Sequence, residues 1–171
     1  MSAVLKPEDA APLRSEPMRL ADIDAVQAIE ASVYPFPWTR GNFIDSLAAG
    51  YDAHLLRGDD GGPCAYAIAM HGVQEVHLLN LTVAPRWQHG GLARLLLGRL
   101  VESSRQAGAR WLWLEVRQSN ERARQVYARY GFEHVAQRPA YYPATGGQRE
   151  GACVMRLALR APNEAADDAL D

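Results

Sequence analysis

Cysteine, lysine and long apolar runs are scarce in this chain of 171 residues. Its two cysteines, Cys64 and Cys153, lie far apart in apolar stretches, which argues against a zinc site or a disulfide framework and favours buried thiols. No apolar run approaches the ~20 residues that a membrane-spanning helix needs. The segment around Lys6, the single lysine, lacks the apolar stretch of a signal peptide. We therefore expect a cytoplasmic protein of one domain, without a metal site or membrane contact.

Charge is distributed unevenly, although the net charge is only −2. Residues 86–138 contain ten arginines and four glutamates, a balance of +6, so the rest of the chain sums to −8. A basic half suits an anionic ligand, either a cofactor or a nucleic acid. These arginines are spread out rather than clustered, so solvated helix faces are an equally good interpretation until the motifs are considered.

The pattern of apolar residues predicts an α/β fold. Residues 1–16 and 161–171 are rich in Ala, Pro, Asp and Glu and are predicted to be disordered tails around a single domain at 17–160. Four helices alternate with the strands in the order β-α-α-β-β-β-α-β-α-β-β. This order predicts a mixed central sheet of about seven strands with helices on both faces. The predicted strands are 18–20, 52–57, 64–71, 74–83, 111–116, 132–137 and 152–159.

Residues 88–93, Gln-His-Gly-Gly-Leu-Ala, are the most informative part of the sequence. They follow an apolar strand and open an amphipathic helix, so the glycines stand where the first-turn N–H groups have no partner within the helix. The bare backbone and the positive end of the helix dipole favour an anion such as phosphate. A tight strand-to-helix turn is the alternative, and the spacing matches neither a dinucleotide loop nor a nucleoside-triphosphate loop.

Several motifs together resemble the GNAT superfamily of N-acetyltransferases, whose cofactor loop has the pattern Gln/Arg-x-x-Gly-x-Gly/Ala. The predicted order of strands and helices also resembles that fold, and the likeness covers about residues 18–159. Two positions depart from the family pattern. His89 stands where Arg is frequent, and Gly151 ends the sequence Arg149-Glu150-Gly151 where Arg-Glu-Asp is common. Further motifs are similar to the ribosomal-protein-alanine N-acetyltransferase (RimI) subfamily, namely Phe36-Pro37-Trp38, Trp113-Leu114-Glu115-Val116-Arg117-x-Ser119-Asn120, Tyr127 before Gly131-Phe132, and Arg138-x-x-Tyr141-Tyr142-Pro143.

The resemblance implies that acetyl-CoA is the cosubstrate and that the loop amides hold its pyrophosphate. The main-chain N–H of Val83 matches the family's contact to the thioester carbonyl, where it would stabilise a developing oxyanion. Asn120 matches another family contact, although capping the fourth helix explains it equally well. The residues implied to bind acetyl-CoA are Leu81, Thr82, Val83, His89, Gly90, Gly91, Leu92, Ala93, Arg94 and Asn120.

Glu115 and Tyr127 are the residues that the resemblance implies for proton transfer, during direct attack of an amine on the thioester without an acyl-enzyme. Strand alternation places Glu115 on the face of Trp111 and Trp113 as a candidate general base, and a solvated strand end is the alternative. Tyr127 belongs to a stripe of core spacing. A buried structural tyrosine is therefore as good an interpretation as a general acid that protonates the departing thiolate.

Aromatic segments at 34–38 and 141–143 are predicted to wall the peptide entrance, with Phe36, Trp38, Tyr141 and Tyr142 as candidate substrate-binding residues. Packing onto the core is the alternative for any single one of them. The resemblance implies acetylation of the N-terminal alanine of a small-subunit ribosomal protein. Two other functions stay open: acetylation of another protein N-terminus, a lysine or a small amine, and a non-catalytic module that binds RNA or the ribosome. The chain carries no RNA-binding signature, and an anionic cofactor already explains the basic half.

Overall fold

The computed structural model describes residues 13–159, and their order of elements is the predicted one. Three short 3₁₀ turns lie at Leu20–Asp22, Pro85–Trp87 and Thr145–Gly147. The strands are β1 (Ser15–Pro17), β2 (Asp52–Arg57), β3 (Pro63–His71), β4 (Glu75–Val83), β5 (Trp111–Arg117), β6 (Glu133–Pro143) and β7 (Arg149–Ala158). The helices are α1 (Ile23–Val33), α2 (Arg40–Ala48), α3 (Leu92–Gln106) and α4 (Glu121–Tyr130).

The first strand lies earlier than predicted, because β1 covers Ser15–Pro17 and not 18–20. It pairs antiparallel with β2 at one edge of the sheet, where a proline is tolerated. Pairing with β2 therefore orders a polar segment that has little strand propensity of its own, while Leu20 begins a 3₁₀ turn. Ser15 and Glu16 thus belong to the sheet, contrary to the tail predicted for 1–16. Residues 1–12 and the tail predicted at 161–171 lie outside the described residues.

The seven strands form one sheet in the order β1-β2-β3-β4-β5-β7-β6, in which only β4 and β5 are parallel. The register of β4 against β3 shifts around Leu79, which is typical of a β-bulge. β4 pairs with β5 only from Glu75 to Leu78, and beyond that point the two strands separate. The opening between residues 79–83 of β4 and 115–117 of β5 is called the split below.

Helices cover the sheet on both faces, as predicted. α1 and α2 pack on one face, where Val26 and Phe43 belong to one buried cluster with Tyr66 of β3. α3 and α4 pack on the other face, where Leu96 of α3 and Tyr127 of α4 join the alanines of β3 and the apolar side chains of β5. Strand alternation therefore directs the remaining side chains of β5, including Glu115, to the side of α1 and α2.

The far edge strand, β6, is longer than the predicted 132–137. It continues to Pro143 and so includes the tyrosine segment, which was expected in a loop. Its pairing with β7 is interrupted between Arg138 and Tyr142, where Ala140 has a positive φ of 49°. Irregular pairing explains why periodicity alone ended this strand too early.

Within residues 13–159, none of the helices combines the length and the apolar character that crossing a bilayer requires.

Candidate active site

A cavity of about 320 Å³ occupies the split between β4 and β5 and is called the split cavity. Its walls come from the carboxyl ends of both strands, the aromatic segment after α1, the first turns of α4 and the end of β6. Residues predicted for catalysis, cosubstrate binding and peptide binding therefore meet in one place. The predicted residues on its walls are Phe36, Trp38, Leu81, Glu115, Asn120, Tyr127 and Tyr142.

The backbone of β4 presents hydrogen-bonding groups to the split. Ala84 donates its N–H to β3 at 2.9 Å, and because direction alternates along a strand, the amides of Val83 and Leu81 point the other way, into the split. The carbonyl groups of Val83 and Leu81 also point into the split. Leu81 O accepts from the Tyr34 hydroxyl at 3.3 Å, and Val83 O accepts from Gln88 Nε2 at 3.1 Å. The Val83 N–H is thus placed where a ligand in the split could accept from it.

Residues 88–93, called the glycine loop, lead into α3 as predicted. Gly91 is the N-cap residue with φ 80°, a conformation that glycine adopts without strain, and a Cβ there would meet nothing within 4 Å. Leu95 N–H bonds to Gly91 O at 3.1 Å, so the amides of Leu92, Ala93 and Arg94 precede the first bond within the helix. The loop therefore offers an open row of backbone donors at the positive end of α3.

The side chains next to the glycine loop make contacts that the sequence did not predict. His89 is exposed and has a left-handed backbone with φ 68°. The Arg94 guanidinium lies over the Tyr130 ring, 5.8 Å from its centroid, so it is engaged with α4. Arg122 of α4 donates to Gln88 Oε1 at 2.8 Å. Arg122 was missed from the sequence, because its spacing does not distinguish it from the other arginines of that helix.

A second cavity of about 170 Å³, called the loop cavity, lies between the glycine loop and α4. Arg122, Thr82 and Val83 lie on its walls. Both cavities share five lining residues, so they adjoin, and a long ligand held at the glycine loop can extend along β4 into the split. Bare amides at one end and inward-directed amides along β4 fit an extended anionic cosubstrate such as acetyl-CoA. The shared residues are Tyr34, Leu81, Asn120, Ala123 and Tyr127.

Asn120 has the role that its alternative interpretation predicts. Its Oδ1 accepts from Ala123 N–H at 3.1 Å, which makes it the N-cap of α4. Because it also lies on the walls of both cavities, capping does not compete with a ligand contact.

Glu115 lies at the far end of the split cavity, with its side chain 25% exposed. Arg138 of β6 places Nε 3.0 Å from Glu115 Oε1. The same carboxylate, acting as a hydrogen-bond acceptor and as a negative charge, raises the pKa of the neighbouring Tyr141. The backbone carbonyl of Glu115 accepts from the Tyr142 hydroxyl at 3.1 Å. These contacts hold the carboxylate in place, and the pairing with Arg138 was missed because β7 separates the two strands.

Tyr127 is 9% exposed and packs edge-on against Phe132, with ring centroids 5.6 Å apart. Burial and the neighbouring Tyr34 and Tyr142 raise the pKa of Tyr127 above its ordinary value. The phenol therefore stays protonated at neutral pH. The structure confirms that Tyr127 belongs to the core, and because it also lies on the walls of both cavities, this structural role does not exclude contact with a ligand.

Arg117 holds the aromatic side of the split cavity. Its guanidinium lies over the rings of Phe36 and Tyr142, at 5.4 and 4.5 Å from their centroids. Glu150 of β7 accepts from Arg117 Nη1 at 2.8 Å, and this hydrogen bond lowers the pKa of Glu150. Phe36 and Tyr142, predicted on either side of the entrance, are thus brought together by one basic side chain that sequence reasoning had not singled out. Tyr141, also predicted there, is not among the residues on the walls of the split cavity and lies beneath Arg138.

Gly151, one of the two departures from the family pattern, has a steric counterpart in Gln118. A Cβ at position 151 would lie 3.0 Å from the amide atoms of the Gln118 side chain. Gln118 therefore occupies the space that a side chain at 151 would need, and the two residues suit one another.

Known proteins are similar to this chain in sequence and in architecture. The model of the acetyltransferase (GNAT) family matches residues 23–132. A Haemophilus ducreyi protein named ribosomal protein bS18-alanine N-acetyltransferase is 36% identical over 138 residues, covering 81% of this chain and 94% of that protein. The crystal structure of the ribosomal-protein-S18-alanine N-acetyltransferase from Escherichia coli matches with TM-score 0.78 and 34% identity, covering 85% and 93% of the two chains. Arabidopsis thaliana NAA60 in complex with acetyl-CoA shares the fold, with TM-score 0.75 and 16% identity over 86% and 98%.

Proposed function

Because the chain belongs to the acetyltransferase (GNAT) family, we propose that it transfers the acetyl group of acetyl-CoA to the N-terminal alanine of a ribosomal protein. The observation that carries this proposal is the split cavity, on whose walls Glu115, Tyr127 and the carboxyl end of β4 meet. Relatives that are named for this activity match over more than four fifths of the chain, which supports the choice of acceptor.

The glycine loop and β4 are the elements that would hold acetyl-CoA. The amides of Leu92, Ala93 and Arg94 suit its pyrophosphate, and Arg122 brings a positive charge to the wall of the loop cavity. The amides of Leu81 and Val83 suit the pantetheine arm and the thioester carbonyl. When bound, acetyl-CoA supplies an acyl thioester that an amine can attack directly.

Glu115 is the proposed general base for the acceptor amine, directly or through water. An α-amino group with pKa ~8 is already about one tenth neutral at pH 7, whereas a lysine with pKa ~10.4 is less than about one thousandth neutral. A carboxylate can therefore complete deprotonation of an N-terminus far more readily than that of a lysine. Arg138 Nε lies 3.0 Å from Glu115 Oε1, and this ion pair helps to hold the carboxylate in place.

Tyr127 is the proposed general acid for the departing thiolate. Its burial keeps the hydroxyl protonated before transfer, since the pKa of Tyr127 is raised. The Val83 N–H would then face the carbonyl oxygen of the thioester, and the Tyr127 O–H would face its sulfur, which leaves the carbonyl carbon as the thiolate and accepts the proton. The aromatic residues near Arg117 would exclude water from the reacting amine.

A panel of acceptors tests the proposal by the release of CoA. We expect release with peptides that carry a free N-terminal alanine, and none with the same peptides blocked at the α-amino group, even when they contain lysine. Transfer to lysine peptides or polyamines in place of the alanine peptides would identify another amine as the acceptor. Salt-sensitive RNA binding without any transfer would instead favour a non-catalytic module.

A further inference from the structure

Glu30 of α1 is a buried carboxyl group, 2% exposed, beneath the segment 34–38, which is called the aromatic loop. Its Oε1 accepts from Trp38 N–H at 3.0 Å. Its Oε2 accepts from the Tyr66 hydroxyl and from Asn80 Nδ2, the latter at 3.1 Å. The three donors belong to the aromatic loop, β3 and β4, and each of them is neutral. An apolar side chain would fill this space at lower desolvation cost, so the contribution of Glu30 lies in joining three elements.

The hydrogen bonds continue from Glu30 to the start of the aromatic loop. Asn80 Oδ1 accepts from Thr82 Oγ1 at 2.8 Å, and the Tyr34 hydroxyl lies 3.0 Å from Thr82 Oγ1. Tyr34 also reaches the carbonyl of Leu81 in the split. One polar network therefore fixes Tyr34 at the start of the loop and Trp38 at its end.

The residues between the two ends of the aromatic loop have few backbone donors that could fix their position. Pro35 and Pro37 have no N–H to donate, and no regular helix or strand covers residues 34–38. Phe36, between the prolines, is 39% exposed and contacts Arg117 across the cavity. The position of Phe36 and Trp38 relative to Glu115 therefore depends on how the two ends of the loop are attached.

We propose that Glu30 is a positioning residue for the acceptor, because it fixes the aromatic loop as the wall of the peptide entrance. It acts through Trp38, which lies on the walls of the split cavity beside Glu115. The inference rests on the proposed function in one respect, that the acceptor is a peptide N-terminus. The hydrogen bonds of Glu30 itself go to Trp38, Tyr66 and Asn80, whereas the glycine loop packs with α3 on the other face of the sheet. Removal of Glu30 should therefore weaken peptide binding much more than the binding of acetyl-CoA.

Two substitutions of similar size separate positioning from simple stability. Glu30→Met removes both acceptor oxygens and should raise the peptide KM about tenfold, the effect of one lost hydrogen bond to a charged acceptor. The acetyl-CoA Kd, measured by calorimetry, should stay within about threefold. Glu30→Gln keeps an oxygen for Trp38 N–H, and rotation of the Asn80 amide would let Asn80 Oδ1 accept from the new amide while Asn80 Nδ2 donates to Thr82 Oγ1. It should restore the peptide KM to within about threefold of the unmodified protein.

Val76→Ala is the matched control, because Val76 is fully buried in β4 but faces α3 on the other side of the sheet. It should lower the melting temperature without raising the peptide KM. An unchanged peptide KM in Glu30→Met, an equal rise in Val76→Ala, or a parallel rise in the acetyl-CoA Kd would each overturn the proposal.

Hydrogen exchange gives a second test that does not depend on a variant folding. In the unmodified protein the Trp38 amide should exchange as slowly as the paired amides of β4, although it lies outside any helix or strand. Rapid exchange of this amide would refute the attachment of Trp38 to Glu30. Failure of the unmodified protein to acetylate any peptide N-terminus would refute the proposed function. A protected Trp38 amide would still stand as evidence that Glu30 holds the aromatic loop.

Discussion

Replacing Gly58 with alanine should weaken acetyl-CoA binding from a position outside both cavities. Gly58 lies in the turn between β2 and β3, where its N–H bonds to Gly62 O at 2.9 Å. A Cβ at this position would stand 2.6 Å from Cζ2 of Trp87, far inside contact distance. Trp87 ends the 3₁₀ turn that leads into the glycine loop, and its carbonyl lies next to Gly90. The added methyl group must therefore move either the turn or the loop.

The magnitude follows from the cost of inserting a methyl group into close packing. Overpacking of this kind costs about 1–3 kcal/mol, which corresponds to a fall in melting temperature of about 2–12 °C for a domain of this size. Gly61→Ala in the same turn is the matched control. Its φ of 77° makes alanine cost about 1–2 kcal/mol, yet a Cβ there meets nothing within 4 Å. Both variants should lose similar stability, and only Gly58→Ala should disturb the glycine loop.

Calorimetric titration with acetyl-CoA and thermal unfolding of both variants distinguish these effects. Gly58→Ala should raise the acetyl-CoA Kd about tenfold, as expected when one charge-assisted hydrogen bond is lost, while Gly61→Ala should leave it unchanged. Equal affinities in the two variants would show that Trp87 does not set the position of the glycine loop. The steric argument would then be wrong.

Three further predictions address the site itself. Glu115→Gln and Tyr127→Phe should each lower kcat about 10²-fold or more without weakening acetyl-CoA binding, and normal turnover in either variant would remove its proposed role. His89→Arg adds a permanent charge beside the glycine loop and should lower the acetyl-CoA Kd about twofold to fivefold at low salt, an effect that must shrink at high salt. Burial raises the pKa of Tyr66 and Tyr127, so above pH ~10 the unfolded chain releases protons that the native chain keeps. Stability should be complete below that pH and fall above it, and melting temperatures of Tyr66→Phe should show a smaller fall.

Local signals predicted much of this fold. Helical spacing of apolar residues identified the four helices, and Gly91 at the start of α3 was predicted from its position between an apolar strand and an amphipathic helix. Capping of α4 by Asn120, one of two interpretations of that residue, is confirmed by the structure. These features depend on interactions within a few residues, which a sequence shows directly.

Contacts between distant segments could not be predicted in this way. Arg138 reaches Glu115 across an intervening strand, and Glu30 joins Tyr66 and Asn80 although 36 and 50 positions separate them. Nothing in local spacing marks such pairs, because they depend on sheet order and on which face each strand presents. The first strand was misplaced for the same reason, since pairing with β2 and not its own composition orders Ser15–Pro17.

The bulge at Leu79 had a sequence signal, and it explains how β4 serves two sides of the site. Before the bulge, apolar Leu78 faces α3, and after it the apolar positions shift by one residue to Leu81 and Val83. That change of phase is visible in the sequence, because strict alternation would have placed Asn80 and a threonine in the apolar core. With the bulge, the polar side chains turn towards α1 and join the network that holds the aromatic loop. The same shift leaves the amides of Leu81 and Val83 directed into the split. One extra residue in β4 therefore directs its backbone amides towards the proposed cosubstrate site and its polar side chains towards the proposed peptide entrance.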